Sequence, residues 1–336
     1  RPFRVTISKG TTAPYRFTLP ELRIFSDDRE LELSGFYESA DNFSMRMSGS
    51  TDLRVAAGFS PALSRAEGDI TLNGELNPEG FTGRAELTKG LLTFQGSSLV
   101  VREVESVIRA TNSRFELIRL EGDFREGTMT ASGRFVLTSK GIPEANVNLK
   151  LDHIFIEPDD GISLRASGGL DLKVASQQGE VSGKLFISEG LFRKRVDLRS
   201  DLVKLFEEDR RLFRAREDDV VAWRQWKLNV QLVTSEPFNV RNNIGEGAAN
   251  LSLNIGGTAG EPRMQGNVEL IRGQFSYNGR QFTIRSGAIR FQNPNSNVPN
   301  YDIRADTEIG DYTIYMRLEG GPGKQKITYN SEPSLS

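Results

Sequence analysis

Gly266-NVELIR-Gly273 sets apolar side chains at Val268 and Leu270 with polar or charged neighbours between them. The same frame stands at Gly183-KLFISE-Gly190, carrying Leu185 and Ile187, and at Gly83-RAELTK-Gly90, carrying Ala85 and Leu87. Apolar residues at every second position are the period of a half-buried β-strand, and each frame is followed by another hydrophobic, strand-like segment. The frames start 100 and 83 residues apart. That is longer than the usual solenoid periods, so each frame marks a group of several strands and turns. A stacked, one-dimensional β architecture follows more naturally than a compact enzyme domain.

Working outward, period-2 segments recur along the chain: Ile70-Leu72, Leu149-Leu151, Ile154-Ile156, Leu170-Leu172-Val174, Leu228-Val230-Leu232, Leu251-Leu253-Ile255 and Tyr312-Ile314-Met316-Leu318. Turn signals separate them at Asn77-Pro78-Glu79-Gly80, Glu157-Pro158-Asp159-Asp160-Gly161, Gly256-Gly257 and Gly320-Gly321-Pro322-Gly323. Their glycines supply positive φ and their prolines cannot continue a ladder. The pattern predicts an antiparallel meander of short strands, on the order of 25 at ~10–14 residues per strand plus turn. With one apolar and one polar face, such a sheet hides its apolar side by curling into a barrel, a sandwich or a half-open trough. Polar positions such as Asn229, Gln231, Asn250, Ser252 and Asn254 fit a solvated outside in every version.

One segment departs from this period. Between Asp197 and Asp218, Leu198, Leu202, Leu205, Phe206, Leu212 and Phe213 fall within a wedge of about 120° at helical spacing, interrupted by Asp209. This predicts one helical insertion near 197–218 that caps or packs on the sheet, or plugs an apolar interior. Trp223 and Trp226 follow it and read as packing anchors. The organisation expected is residues 1–196 as repeated β units, 197–218 as the insertion and 219–336 as a second β region.

Composition excludes several classes. The 336 residues carry a formal charge of −2 with both signs interspersed, which provides no long-range field for nucleic acid or an anionic surface. The chain has no cysteine, which rules out disulfide staples and thiolate metal sites and leaves the redox compartment open. No run of about 18 apolar residues is present, and the start lacks a basic-then-apolar signal segment. The chain begins in a strand-like segment and stops abruptly, as a piece of a longer protein would.

Motifs that carry chemistry are sparse. His153, the one histidine, lies in a strand-like run with no second histidine near it, so a Ser-His-Asp arrangement would have to rely on it, and no G-x-S-x-G elbow exists. Gly183-Lys184 and Gly323-Lys324 lack the flanking residues of a phosphate loop, and Gly245-Glu246-Gly247 fails the dinucleotide pattern at its third position. Glu157, Asp159 and Asp160 lack the alternating oxygen ligands of a calcium loop and read as a solvated turn. Distant carboxylates assembled across strands stay open. No catalytic residue, metal or cofactor is expected.

The last third is the most specific stretch. Gly257-Thr258, Pro262, Gly266, Gly273, Phe282-x-Ile284, Gly287-x-Ile289-x-Phe291, Pro299, Ile303-x-Ala305 and Ser331-x-Pro333-x-Leu335-Ser336 follow one another in an order that resembles the C-terminal domain of TamB, in the AsmA-like group of translocation and assembly modules. Residues 67–196 look like looser copies of the same unit, and residues 1–66 match in strand style alone. The resemblance implies an all-β, long antiparallel meander curled into a half-open apolar trough, a β-taco or solenoid-like fold. It also implies a periplasmic protein of a diderm bacterium, held in the inner membrane by an anchor that this chain lacks and meeting a TamA-like outer-membrane barrel.

Under that resemblance, alternation places Leu251, Leu253, Ile255, Val268, Leu270, Phe275, Tyr277, Phe282, Ile284, Ile289, Phe291, Ile314, Met316 and Leu318 on the inner wall. An acyl chain of about 16 carbons exposed to water costs on the order of 12 kcal/mol at about 0.8 per methylene, so a carrier across an aqueous space needs an unbroken apolar lining. The leading expectation is a non-enzymatic groove for phospholipid acyl chains in transport between inner and outer membranes. Two alternatives stand beside it. One is a scaffold or chaperone that shelters strands of outer-membrane or autotransporter proteins and passes them on by edge pairing. The other is a structural β stalk whose interior is closed by its own side chains.

Overall fold

The computed structural model describes residues 6–8, 15–26, 28–54, 63–94, 100–138, 141–159, 161–176, 178–193, 195, 225–321 and 324–334. The segment 197–218, expected as a helix, lies outside the described residues, as do Trp223, Asp160, Gly323 and Leu335-Ser336. The chain is nearly all β, with twenty strands among the described residues. It divides into two compact units: the described residues up to Lys150 with Asp171–Gln178 form the first, and Leu151–Leu170 with the described residues from Gly179 onward form the second.

The first unit is a run of antiparallel neighbours: β1 (Thr6–Ser8), β2 (Arg16–Ser26), β3 (Arg29–Ser39), β4 (Asn42–Asp52), β5 (Leu63–Asn77), β6 (Gly80–Phe94), β7 (Val100–Thr111), β8 (Arg114–Phe124) and β9 (Gly127–Thr138). Its core is one sheet face. Leu53, Ala66, Leu87, Val101 and Val104 are buried there with Ile70, Leu92, Leu120, Phe124 and Met129 against them. At the hairpin end of the same face Phe81, Phe115 and Phe135 stack, with centroids 6.5 and 5.1 Å apart.

Next come β10 (Gly141–Asp159), β11 (Ile162–Ala175) and β12 (Gln178–Phe192). The second unit continues through β13 (Lys227–Thr234), β14 (Phe238–Arg241), β15 (Gly245–Gly257), β16 (Pro262–Tyr277), β17 (Arg280–Phe291), β18 (Asn300–Ile309), β19 (Tyr312–Gly321) and β20 (Lys324–Glu332). From β15 to β20 every pairing is an antiparallel hairpin neighbour.

Among the described residues the meander expected from alternation includes a parallel step. β12 runs parallel to β13 and β14, with Val181 opposite Leu228, Leu185 opposite Leu232 and Leu191 opposite Asn239. A parallel pair cannot be closed by a tight turn and needs a crossover of a dozen or more residues, and residues 193–226, which include the segment expected as helical, make that connection. β13 and β14 are two halves of one line between β12 and β15. The line is interrupted where the Ser235 and Glu236 amides both donate to the Ile187 carbonyl, at 2.9 and 3.4 Å, just before Pro237, which has no amide to give. Aromatic rings cover glycines along this seam: Trp226 lies on Gly179 and Phe238 on Gly190.

Among the described residues strands are longer than expected, reaching 19 residues in β10, and the glycine frames lie inside strands and do not end them. Along each frame the inward positions fall at 0, 2, 4 and 7: Gly83, Ala85, Leu87 and Gly90 in β6; Gly183, Leu185, Ile187 and Gly190 in β12; Gly266, Val268, Leu270 and Gly273 in β16. The odd step is a β-bulge, visible as register shifts between Leu87 and Gly90 and opposite Ala248 and Ala249. A bulge bends its strand and raises the local twist. The first glycine of each frame touches the backbone of the preceding strand, at Asn73, Gly169 or Ser252. The last is covered by a side chain of a following strand, Val104, Phe238 or Ile284. The repeats are therefore curvature devices.

Gly266 has φ +126°, and a Cβ there would strike the Ser252 carbonyl oxygen and lie 3.0 Å from Leu253 Cα. Gly266→Val should destabilise the second unit by at least ~3 kcal/mol in denaturant unfolding. Gly279, at φ +74° with open space around its Cα, should accept asparagine at a cost below about 1 kcal/mol.

Candidate functional site: the uncharged face of the second unit

Register places the inward side chains of successive strands in rows across the sheet. Val230, Ile255 and Met264 form one; Leu232, Leu253, Gly266 and Phe291 a second; Leu251, Val268, Ile289, Tyr301 and Gly320 a third; Gly287, Ile303, Leu318 and Ile327 a fourth. Leu253, Ile255, Phe282, Phe291, Met316 and Leu318 are buried. Leu251, Val268, Leu270, Phe275, Tyr277, Ile284, Ile289 and Ile314 are half-buried.

The face gathers most of the expected residues into three clusters. Leu253, Ile255, Met264 and Phe291 are surrounded by Leu228, Val230, Leu232, Leu251, Val268 and Ile289. Tyr301 and Leu318 are packed with Ile303 and Ile327, and Phe282, Ala305 and Met316 with Phe275, Tyr277 and Ile327. Leu270 lies instead on Gly287, Ile284 on Gly273, and Ile314 opposite Thr307 and Ser331. Leu228, Val230, Leu232, Met264, Tyr301, Ile303, Ala305, Ile327 and Tyr329 belong to the same face beyond the expected set. Alternation carries the signal for most of them; for Tyr329 it does so only once β20 is in register with β19.

Each cluster draws on a run of neighbouring strands, so among the described residues the side chains cover one another across a single face. Register puts no aspartate, glutamate or lysine on that face from β16 to β20, and one arginine, Arg280, at the hairpin tip. The sheet is concave here. The Tyr277 hydroxyl on β16 and the Tyr329 hydroxyl on β20 come close enough to interact, although four strand spacings of about 4.8 Å would hold them ~19 Å apart on a flat sheet.

Apart from Arg280, the charges of β16 to β20 stand on the opposite face. Arg317 grips Asp302 through two hydrogen bonds of 3.0 Å and reaches Glu319 at 3.0 Å, while Arg285 grips Asp306 at 2.6 and 2.9 Å. The Arg317 guanidinium holds the Asp302 carboxyl below the usual range. Asn229, Gln231, Asn250 and Ser252 are exposed as expected. Asn254 differs: it is half-buried, and its Oδ1 has no hydrogen-bond partner among the described residues. Elsewhere, His153 is exposed at φ +51° beside Asp152, with 2.9 Å from Nδ1 to Oδ1. Glu157 and Asp159 end β10.

An all-β meander with one uncharged face and one ion-paired face thus defines the class. The family model of the TamB C-terminal domain matches residues 118–336, and the chain belongs to that family, whose members are assembly and translocation modules of the cell envelope. An uncharacterized protein of Aquifex aeolicus (strain VF5) is 25% identical over 230 residues, 66% of this chain and 18% of that relative. The chain therefore spans about a fifth of the relative's length. Among the described residues no helix is long and apolar enough to cross a membrane.

Burial first, and then the hydrogen bond to Tyr277, pushes the Tyr329 phenol up to about 12. Because the folded value lies above the ordinary one of about 10, the stability it contributes is complete below pH ~10 and lost as pH rises towards 12. Phenolate absorbance should show two late-ionising tyrosines, Tyr329 and, held up by the neighbouring Glu332 charge, Tyr315; Tyr277→Phe should move the Tyr329 step down without normalising it. Asp302 has the opposite sign: its contribution is present above the ordinary carboxylate value of about 3.9 and is lost as pH falls below it. Asp302→Asn should cost up to about 1 kcal/mol at neutral pH and flatten the acid limb of the unfolding curve.

Proposed function

We propose that the uncharged face of the second unit is a wall along which phospholipid acyl chains pass through the periplasm between the inner and outer membranes, with no covalent chemistry. The observation that carries this reading is the register: five successive strands present no acidic residue and no lysine to one concave face. An acyl chain offers no group able to compensate a buried charge, so a path for it must be uncharged along its length. Anchoring in the inner membrane by a segment outside this chain and docking on a TamA-like barrel belong to the same proposal. Family membership is their support.

A second reading draws on that membership as well. In a protein-assembly module the same face would shelter nascent barrel strands, whose lipid-facing side chains are equally apolar. The two readings separate by what touches the wall.

Leu253 is a poor probe because it is 9% exposed within the largest cluster, and a charge there would unfold the sheet under any reading. Leu270 and Ile284 are half-buried and suit the test. Photo-crosslinking residues at these two positions in cells should yield phospholipid adducts, with none at outward Ser252. Adducts to barrel-protein strands alone would transfer the assignment to protein assembly. Leu270→Glu should abolish lipid adducts at Ile284 and leave the circular dichroism of the fold intact; a folded Leu270→Glu chain with undiminished adducts overturns the conduit.

A further inference from the structure

At the hairpin between β16 and β17 the apolar face acquires its one charge. Arg280 is the register partner of Tyr277 across the Asn278-Gly279 turn, whose two residues lie at φ 48° and 74°. Paired residues share a face, so Arg280 stands at the rim of the apolar side. It is exposed and enters no ion pair among the described residues. Beside it the Tyr277 and Tyr329 hydroxyls meet, and below them Phe275 and Phe282 are stacked with centroids 5.8 Å apart. Tyr329 is 48% exposed and is the cross-strand partner of Met316.

We propose that Arg280 and the paired hydroxyls of Tyr277 and Tyr329 seat the phosphate of an anionic lipid headgroup, with the acyl chains running inward along half-buried Phe275 and Ile284. The proposal rests on the conduit reading and names the headgroup which that conduit prefers. A guanidinium presents a planar fork that matches a phosphate, and phenols add neutral donors. In a tyrosine pair one hydroxyl donates to the other, and the acceptor keeps its own proton for a third group. Burial holds the Tyr329 phenol in its protonated form well beyond neutral pH. The face offers no carboxylate from β16 to β20. The one charge at this rim is the Arg280 cation, which attracts a net-anionic glycerol headgroup and repels an ethanolamine ammonium that no carboxylate on this face offsets, and this favours net-anionic over zwitterionic lipid.

The test uses the delipidated chain equilibrated with vesicles of phosphatidylglycerol and phosphatidylethanolamine of identical acyl composition, followed by mass spectrometry of the bound lipid. The native chain should enrich phosphatidylglycerol roughly tenfold, the ratio expected of one charge-assisted hydrogen-bonding site. Arg280→Gln should bring the ratio to that of the vesicles with total bound lipid unchanged. Tyr277→Phe with Tyr329→Phe should lower it part of the way. Arg290→Gln, on the outer face, should leave it alone. Arg280→Gln with the native enrichment overturns the headgroup seat and spares the conduit. No bound lipid in any variant, the native chain included, overturns both.

Discussion

A sheet that carries apolar side chains on one face must hide that face, and among the described residues of the second unit this is done within one sheet. Side chains in neighbouring strands cover each other in rows, which succeeds only if the sheet is concave. Curvature is therefore the requirement from which the rest follows, and the glycine frames provide it. A flat strand keeps its inward positions in phase by steps of two; the frames take one step of three, inside a bulge, so the strand bends and the apolar residues beyond it still point inward. The tyrosine pair from β16 to β20 shows how far the bending goes.

The same constraint explains the distribution of charge. Each outer ion pair is individually weak, since an exposed guanidinium and carboxylate gain little over their separate hydration. Arg317 with Asp302 and Arg285 with Asp306 matter more for register. A slip of one residue would carry these groups to the apolar face and the leucines to water. A meander with long strands needs such a guard, because alternation alone permits many near-equivalent pairings.

Much of this is legible in the residues. Alternation at Leu251-Leu253-Ile255 and at Tyr312 to Leu318 reports both the strand and its inward face, and Asn77-Pro78 and Gly320-Gly321 report the turns between strands. The frames are legible as strands but not as bends: their seven-residue spacing acquires meaning only when Gly266 is seen against the Ser252 backbone. Direction is not written in a period-2 pattern at all, so the parallel step from β12 to β13 looks like any other connection. Asn254 reads as a solvated residue because burial of an outward side chain depends on neighbours that its own strand does not specify. The Tyr277–Tyr329 pair is hidden for a similar reason, since it joins positions 52 residues apart that meet only after four strands have curled. The resemblance was plainest over 220–336, whereas the family match reaches back to 118, across strands whose glycine frames are shared but whose intervening residues have drifted.

What separates an open wall from an ordinary core is how the burial is graded. In a closed core large apolar side chains on the inner face would be nearly inaccessible, as Ile187 is at 1%. On this face Leu270, Ile284 and Ile314 are half-buried, and Tyr312, Tyr329 and Ile309 at the rim are exposed. In the first unit, described on its own, Phe17, Tyr37 and Leu76 are exposed on the corresponding apolar face. At about 25 cal/mol per Å² of apolar surface left in water, every such residue forgoes stabilisation that a second layer would have supplied. Among the described residues this area is left uncovered, and on the conduit reading proposed above it is where an acyl chain would lie.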